Sequence, residues 1–307
     1  MASSTLPEFV RCNLCGADDA APLFRPKHAC GPVVQCKRCG LVYVNPRENA
    51  HHMLAHDSSR VKETWESDWF IRYLEESEWK KHNFSRTLAV IQRLRSDGER
   101  SLKLLDFGCS IGLFLSLVED LGWQAYGIEP DAALALFAVE KLGLRVFNGT
   151  LKQAAFPNAF FDIVTSFQVF EHLSDPATEL AEITRVLKPG GLLVIDVPSI
   201  DNIWYRILRG RHRHFSTPQH LYFFTPRTMT ELLNQAGYRI VEIRFPTRNL
   251  SIEHVIEHHI AGYSRTASTI LETQARRLNL LDRSLSLSLE DIMCVYAEKT
   301  ADPTLQP

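Results

Sequence analysis

The sequence lacks any run of roughly 18 uninterrupted apolar residues, the length a helix needs to cross a bilayer. Its start, MASSTLPEFVRC, lacks the basic-then-apolar layout of a secretory leader. It also lacks net charge: 34 Lys and Arg stand against 36 Asp and Glu, a formal balance of −2. These absences argue against a membrane partner, give no global reason to expect nucleic acid, and make the cytoplasm the expected location. Internal repeats and low-complexity tracts are missing too. What is present is apolar material, 45% of 307 residues, enough for one large domain or two of ordinary size. RILRGRHRHF (206–215) is a local basic cluster, read either as a solvated loop or as a stretch that touches phosphate.

Seven cysteines in a reducing compartment argue against a disulfide framework and make their spacing informative. Cys12-Asn-Leu-Cys15-Gly16 is followed, after twenty intervening residues, by Cys36-Lys-Arg-Cys39-Gly40. In each knuckle a tight turn aims both sulfurs at one point, and the glycine lets the following N–H turn back toward sulfur. Four thiolates satisfy tetrahedral Zn2+ with no open position, a structural arrangement. Iron in the same four-sulfur site, or free thiols on coincident turns, are the alternatives. Residues 1–47 are therefore expected to form a zinc ribbon whose last strand is LVYVNP (41–46), too small to be stable without its metal. His28 and Cys30 lie between the knuckles and are read as spares, while Cys109 and Cys294 sit in apolar segments as small buried hydrophobes.

Residues 48–99 read as a linker and N-terminal helices. His51, His52 and His56 belong to the polar linker, and helix-type spacing follows at Trp65, Trp69, Phe70, Tyr73 and Leu74, then at Phe84, Leu88, Ile91 and Leu94, with Asp97-Gly98 as the stop. Beyond residue 100, short apolar runs alternate with amphipathic stretches: KLLDFG, a helix over 112–121, QAYGIEP, a helix over 131–142, LRVFNG, FFDIVTSFQVF, a helix over 176–187, then GGLLVIDVP. That alternation predicts an α/β fold, a doubly wound and mostly parallel sheet with helices on both faces and ligands at the carboxyl ends of the strands.

The turn after the first of these strands lacks a dinucleotide fingerprint, because Ser110 and Leu113 stand where its second and third glycines belong. Asp106-x-Gly108-x-Ser110-x-Gly112 is there instead: an acid at a strand end, then small residues that let main chain approach a ligand, then a helix start that favours a carboxylate. Glu129 closes the next strand, placed to accept both hydroxyls of a ribose.

With these residues the sequence resembles the class I S-adenosylmethionine-dependent methyltransferases, of the bacterial branch that carries an N-terminal zinc ribbon (methyltransferase type 23-like). The resemblance runs over roughly 100–246 and rests on D-x-G-C-x-x-G-x-F, the acid in GIEP, PNAFFDIVTSFQVFEHLSDP and LKPGGLLVIDVP, in that order. It implies a Rossmann-like, seven-stranded fold and S-adenosylmethionine as cofactor. By the same resemblance Gly108, Cys109, Ser110 and Gly112 would line the methionine end, Asp106 would support it, Glu129 would hold the ribose, Thr150 and Leu151 would flank adenine, and Phe167 and Gln168 would border the sulfonium. Ser110 departs from the glycine that many members have.

PQHLYFFTPRTMTELLNQAGY (218–238) resembles P-x-H-L-x-F-F-T-x-x-T-x-x-x-L-L-x-x-A-G-F of that branch. Thr225-Pro226 reads as an N-cap with proline in the first turn, and Ala236-Gly237 as the stop, which leaves 210–224 as a loop over the carboxyl end of the sheet. Methyl transfer requires an aligned acceptor and often removal of a proton. His172, after the fourth strand, and His220, on the loop, are the candidate catalytic bases; helix capping and loop fixing are their structural alternatives. His214 and Tyr222 rank behind them. Deoxysugar C-methyltransferases with a similar ribbon have a Glu-His pair where this chain has Gln219-His220, which disfavours carbon as the acceptor.

RIVEIRF and DIMCVYAEK read as a terminal strand pair, separated by a helical insertion at about 250–288; Ser284 to Ser288 fits either an extended edge or a turn. The methyltransferase domain is expected over 100–300. Three functions compete: methyl transfer to a small molecule, with a hydroxyl of a sugar, glycan or secondary metabolite as acceptor; methyl transfer to RNA with the ribbon as recognition module; and a non-catalytic zinc-ribbon adaptor that binds the cofactor. A small-molecule substrate is the expected partner, nucleic acid is kept as the alternative, and the sequence gives no oligomeric state.

Overall fold

The computed structural model describes residues 7–26, 31–47, 64–95, 101–215, 217, 219–256, 264–281, 283–288 and 290–301. His28, Cys30, His51, His52, His56 and the stop at Asp97-Gly98 lie outside them.

Strands β1 (Ala20–Phe24), β2 (Val33–Cys36) and β3 (Val42–Val44) form an antiparallel ribbon. Helices α1 (Asp68–Glu75) and α2 (Ser77–Leu94) follow. The helices expected between 65 and 94 are thus two, with Glu76 as the C-cap of the first and the start of the second. Then come β4 (Lys103–Phe107), α3 (Leu113–Asp120), β5 (Gln124–Glu129), α4 (Ala132–Leu142), β6 (Val146–Asn148), α5 (Leu151–Ala154), β7 (Phe161–Phe167), α6 (Pro176–Val186) and β8 (Leu187–Pro198). Beyond β8 lie α7 (Ile203–Leu208), β9 (Tyr222–Phe223), α8 (Pro226–Gln235), β10 (Tyr238–Arg244), β11 (Arg248–Ser251), α9 (Arg265–Arg277), β12 (Ser284–Leu287) and β13 (Ile292–Lys299).

The expected Rossmann-like sheet has seven strands in the order β10-β13-β8-β7-β4-β5-β6. β4 to β8 run parallel, and β13 is inserted antiparallel between β8 and β10. Neighbouring residues of each strand serve opposite faces. Leu105, Val164, Leu193 and Ile195 pack with Leu180 and Ile183 of α6, whereas Leu104, Ile163, Leu192 and Val194 pack with Leu88 and Ile91 of α2 and Phe114 of α3. Each such fully buried Leu or Ile contributes about 1.5–3 kcal/mol, so the two-sided burial is what makes these strands continuous apolar runs. β4 lies between β5 and β7, and the crevice at this reversal of strand order is where ligands bind in such sheets.

Two long-range pairings were not expected from the sequence. β9 adds to the ribbon sheet, with Val42 opposite Phe223 and Tyr43 opposite Tyr222, so the ribbon does not end at β3. The ribbon side chains Leu14, Leu41 and Tyr43 share one core with Leu193, Tyr222 and Met229. β12 pairs antiparallel with β11, which settles Ser284–Leu287 as an extended edge and not a turn.

Candidate functional site

The turn after β4 is held open by two glycines. Gly108 has φ +79°, and a Cβ there would come within 2.4 Å of Val169; Gly112 has φ +83°, and a Cβ there would meet Leu144 at 2.3 Å. Between them Ser110 takes φ 51°, in the left-handed region that favours glycine. Ser110 therefore keeps the backbone of the turn at a cost of about 1–2 kcal/mol. Tyr73 of α1 reaches over and bonds the Ser110 side chain. Cys109 is buried, and Gly127 gives its sulfur room: a Cβ at 127 would lie 2.5 Å from it.

Glu129, 7% exposed at the end of β5, accepts hydrogen bonds from the Ser110 N–H at 2.8 Å and the Asp131 N–H at 2.9 Å. Asp106, 3% exposed at the end of β4, accepts from the Thr165 hydroxyl at 2.7 Å. Burial pushes both carboxyls up to about 7, against two backbone donors at Glu129 and the Thr165 hydroxyl at Asp106. Thr150 caps α5 and shares a capping box with Gln153, while the Leu151 side chain is wholly buried in the core. Thr150, at the start of α5, is the more open of the two residues expected beside an adenine.

At the end of β7, Gln168 takes φ 57° and turns toward β8. Its amide donates to Asp196 at 2.7 Å, and Arg248 donates to the same carboxylate oxygen at 2.8 Å. Asp196 and Arg248 were missed in the sequence, although an acid inside the apolar run LLVIDVP was a usable signal. A cavity of about 310 Å³ opens beside them, lined by Tyr73, Trp79, Lys80, Phe84, Phe167, Gln168, Asp196 and Arg248. Lys80 sits over the Tyr73 ring at 3.4 Å and pairs with Glu76 at 2.9 Å; burial lowers its pKa.

His172 and His220 are brought together, their ring centroids 4.8 Å apart, but neither lines that cavity. Nδ1 of His172 lies 3.0 Å from the Gln219 carbonyl, and burial lowers the ring's pKa. Behind the pair is Glu171, fully buried, its carboxyl pushed up to about 8 by burial and the nearby Asp196 charge. Its backbone carbonyl accepts from Leu221 at 2.7 Å and Tyr222 at 3.2 Å, tying the loop to the strand end. His214 stacks on His220 at 5.8 Å and faces Asp291 at 3.6 Å. His212 and His214 are 2% and 5% exposed, so two members of the basic run fold inward, and Arg206 faces Asp201 at 3.5 Å.

In the ribbon, Cys12 and Cys39 sulfurs lie 3.4 Å apart and those of Cys15 and Cys36 3.5 Å apart, with all four within 4.8 Å of one another. Bonds of about 2.3 Å to a tetrahedral ion require sulfur separations of about 3.8 Å, so the donor set fits Zn2+. Gly16 and Gly40 return their N–H groups to the Cys12 and Cys36 carbonyls as the knuckles require. Asn13 in the first knuckle bonds Asp175 and the Ala177 N–H, so it also fastens the ribbon to the start of α6.

The raised carboxyls predict a pH dependence. A ribose that donates to Glu129 needs the ionised form, so affinity for the demethylated cofactor is expected to rise about tenfold from pH 6 to pH 8, with most of the rise below pH 7, and Glu129→Gln to weaken binding and flatten the profile. The ligand-free protein should show the opposite trend in stability. A carboxyl raised in the folded state binds its proton more tightly there, so its contribution is complete below the unfolded range and is lost as pH rises through about 7. Calorimetric titrations and melting curves across this range check both signs.

A family model described as a methyltransferase domain matches residues 79–243, more than half of the chain, and its start falls within α2, in the segment 48–99 expected as linker and N-terminal helices. The chain is 32% identical over 170 residues to a probable S-adenosylmethionine-dependent methyltransferase of Mycolicibacterium smegmatis, covering 54% of this chain and 61% of that protein. It is 29% identical over 154 residues to a ubiquinone biosynthesis O-methyltransferase of Rhodopseudomonas palustris, covering 44% of this chain and 61% of that one. The match thus spans about three fifths of the length of these two relatives. Among solved structures, a chain of the complex between the Haloferax volcanii Trm112 methyltransferase activator and the putative methyltransferase superposes with a TM-score of 0.52 at 17% identity, covering 80% of this chain and 95% of that chain. That likeness is one of fold.

Proposed function

The chain belongs to the methyltransferase-domain family, and from that membership we propose that it moves a methyl group from S-adenosylmethionine to an oxygen of a small molecule, a hydroxyl of a sugar, glycan or secondary metabolite. The observation that carries this reading is the pair of buried carboxylates, Asp106 and Glu129, on either side of a turn in which Ser110 is held in a left-handed conformation. Burying two acids costs free energy that a bound, hydroxyl-rich and cationic ligand would offset. Gly108, Cys109, Ser110 and Gly112 would surround its amino-acid end, Asp106 would support it, Glu129 would hold its ribose, the main chain at Thr150 and Leu151 would meet its base, and Phe167 and Gln168 would border its sulfur. When bound, the cofactor supplies an electrophilic methyl on a sulfonium.

What remains for the protein is alignment and handling of the acceptor proton. The aromatic walls of the cavity suit an acceptor with an apolar or planar body, and Lys80 and Arg248 suit one carrying polar or anionic groups. His220 and His172, held against the end of β7 and outside the lining of that cavity, are the groups we assign to a hydroxyl of an acceptor that extends beyond it. The relative named for ubiquinone biosynthesis O-methylation favours oxygen as acceptor atom. The four cysteines would hold a structural Zn2+, with residues 1–47 as the ribbon, 48–99 as linker and helices, and 100–300 as the transfer domain. His212 and His214 turn inward, whereas Arg206, Arg209 and Arg211 stay exposed, so methyl transfer to RNA is kept as the second reading.

Calorimetry with the zinc-loaded chain tests the premise: heat is expected on adding S-adenosylmethionine or its demethylated product. No heat with either would remove the enzyme reading. Extracts incubated with isotopically labelled methyl donor and analysed by mass spectrometry would then identify the acceptor by its labelled product.

A further inference from the structure

We propose that Glu171, His172 and His220 form a second metal site, distinct from the four cysteines, for a divalent first-row transition ion. The starting point is a carboxyl group in an untenable place. Glu171 is 0% exposed, and neither of its side-chain oxygens has a hydrogen-bond partner among the described residues. A buried, unpartnered acid is destabilising unless something positive reaches it. Among the described residues no Lys or Arg forms an ion pair with it; the charge of Arg248 acts on it from a distance, but that guanidinium is bonded to Asp196 at 2.8 Å. What faces it is a histidine nitrogen: Nε2 of His172 lies 3.9 Å from a Glu171 carboxyl oxygen.

The tautomer of that histidine is fixed by its other nitrogen. A carbonyl oxygen can only accept, so Nδ1 of His172, 3.0 Å from the Gln219 carbonyl, carries the proton and donates it. Nε2 then presents a lone pair to the carboxyl group. Two lone-pair atoms facing each other across 3.9 Å repel, and the gap is too long for one proton to bridge as a hydrogen bond. A cation between them removes both problems. An imidazole whose far N–H is tied to a backbone carbonyl is also the usual form of a metal-bound histidine.

His220 supplies the third donor. One ligand atom from each of Glu171, His172 and His220 lies within 4.8 Å of the others, and the rings of the two histidines stand edge to face at 70°. Bonds of about 2.0–2.1 Å require donor separations of about 3.4 Å, so closure asks for movements of about 1 Å. The set sits where strand β7 ends and the loop before β9 begins, anchored by the bonds from Leu221 and Tyr222 to the Glu171 carbonyl. Two imidazoles and one carboxylate favour zinc, iron, cobalt or manganese over magnesium and calcium, which prefer an all-oxygen shell. Three protein ligands leave coordination positions open, and the partly exposed edge of His172, with a side chain 33% accessible, gives entry. Its use in catalysis rests on the methyl-transfer reading: a hydroxyl of the acceptor would occupy an open position, and the two histidines would then act on it through the ion instead of taking its proton themselves.

The test is a Co2+ titration of the full, zinc-loaded chain, followed by visible and near-ultraviolet absorption. One further equivalent is expected, with weak visible bands and without the near-ultraviolet sulfur-to-metal band that cobalt in the cysteine site would give. Glu171→Gln keeps the shape and removes the charge. It should lose the extra equivalent, with affinity falling by at least the roughly 10- to 100-fold that loss of a mere supporting partner costs. Retained ribbon zinc and a retained heat of binding for the demethylated cofactor show that the variant is folded. The proposal is overturned if no further equivalent binds, or if Glu171→Gln binds cobalt as the unaltered chain does. A chain that takes up cobalt here yet gives no heat with methyl donor or product keeps the metal site and loses the methyl-transfer reading; the reverse pattern loses the metal site alone.

Discussion

His220→Ala is expected to lower turnover by roughly 10²- to 10⁴-fold, the range over which a proton-handling group acts, while leaving affinity for the demethylated cofactor within about twofold. The asymmetry follows from placement. His220 touches His172, His214 and Phe223, whereas the residues assigned to the cofactor surround Ser110 at the ends of β4 and β5. Losing the ring removes whatever acts on the acceptor hydroxyl, directly or through a bound ion, and leaves the Glu129 contacts standing. Steady-state kinetics beside calorimetry gives the two numbers. A variant with normal turnover excludes the role, and one that loses turnover and cofactor affinity in equal measure assigns His220 to the packing of its loop. His172→Ala separates the two histidines, since it also deletes the bond to the Gln219 carbonyl.

The parts of this molecule that were legible in the sequence are those fixed by local pattern. The parallel strands announce themselves because both their faces are buried, so Leu104 and Leu105, or Ile163 and Val164, are apolar side by side. The Asp106 turn is legible because close backbone approach demands glycine at two fixed positions, and the four cysteines because a tetrahedral site demands two tight turns. What escaped depends on contacts between residues far apart. β9 is two residues long, below what periodicity can register, yet it joins Val42 to Phe223. Tyr73, Asp196 and Arg248 meet the site from three separate segments. Glu171 is the sharpest case. Beside His172 it reads as an ordinary solvated acid, and only the fold shows that the chain buries it with no hydrogen-bond partner for its carboxyl oxygens among the described residues.

The largest stability effect should come from the ribbon. Cys36→Ser, or removal of zinc with a strong chelator, is expected to strip a site whose metal contributes about 10–16 kcal/mol in small zinc modules near neutral pH, comparable to the whole stability of a domain. The damage should travel along one path. The knuckles position β3, β3 carries β9, the Val44 N–H bonds the Leu221 carbonyl at 2.9 Å, and Leu221 follows His220 directly. Arg47 adds a second tie, donating to the Ser174 carbonyl at 3.0 Å and to the Tyr222 hydroxyl at 3.4 Å. Loss of the metal should therefore abolish hydrogen-exchange protection in 33–44 and 222–223 and lower turnover, while β4 and β5, which belong to the separate seven-stranded sheet, keep their protection and the cofactor affinity proposed for them. A metal-free protein whose exchange in those two segments matches the zinc-loaded form would show that the ribbon is not what holds the His220 loop in place.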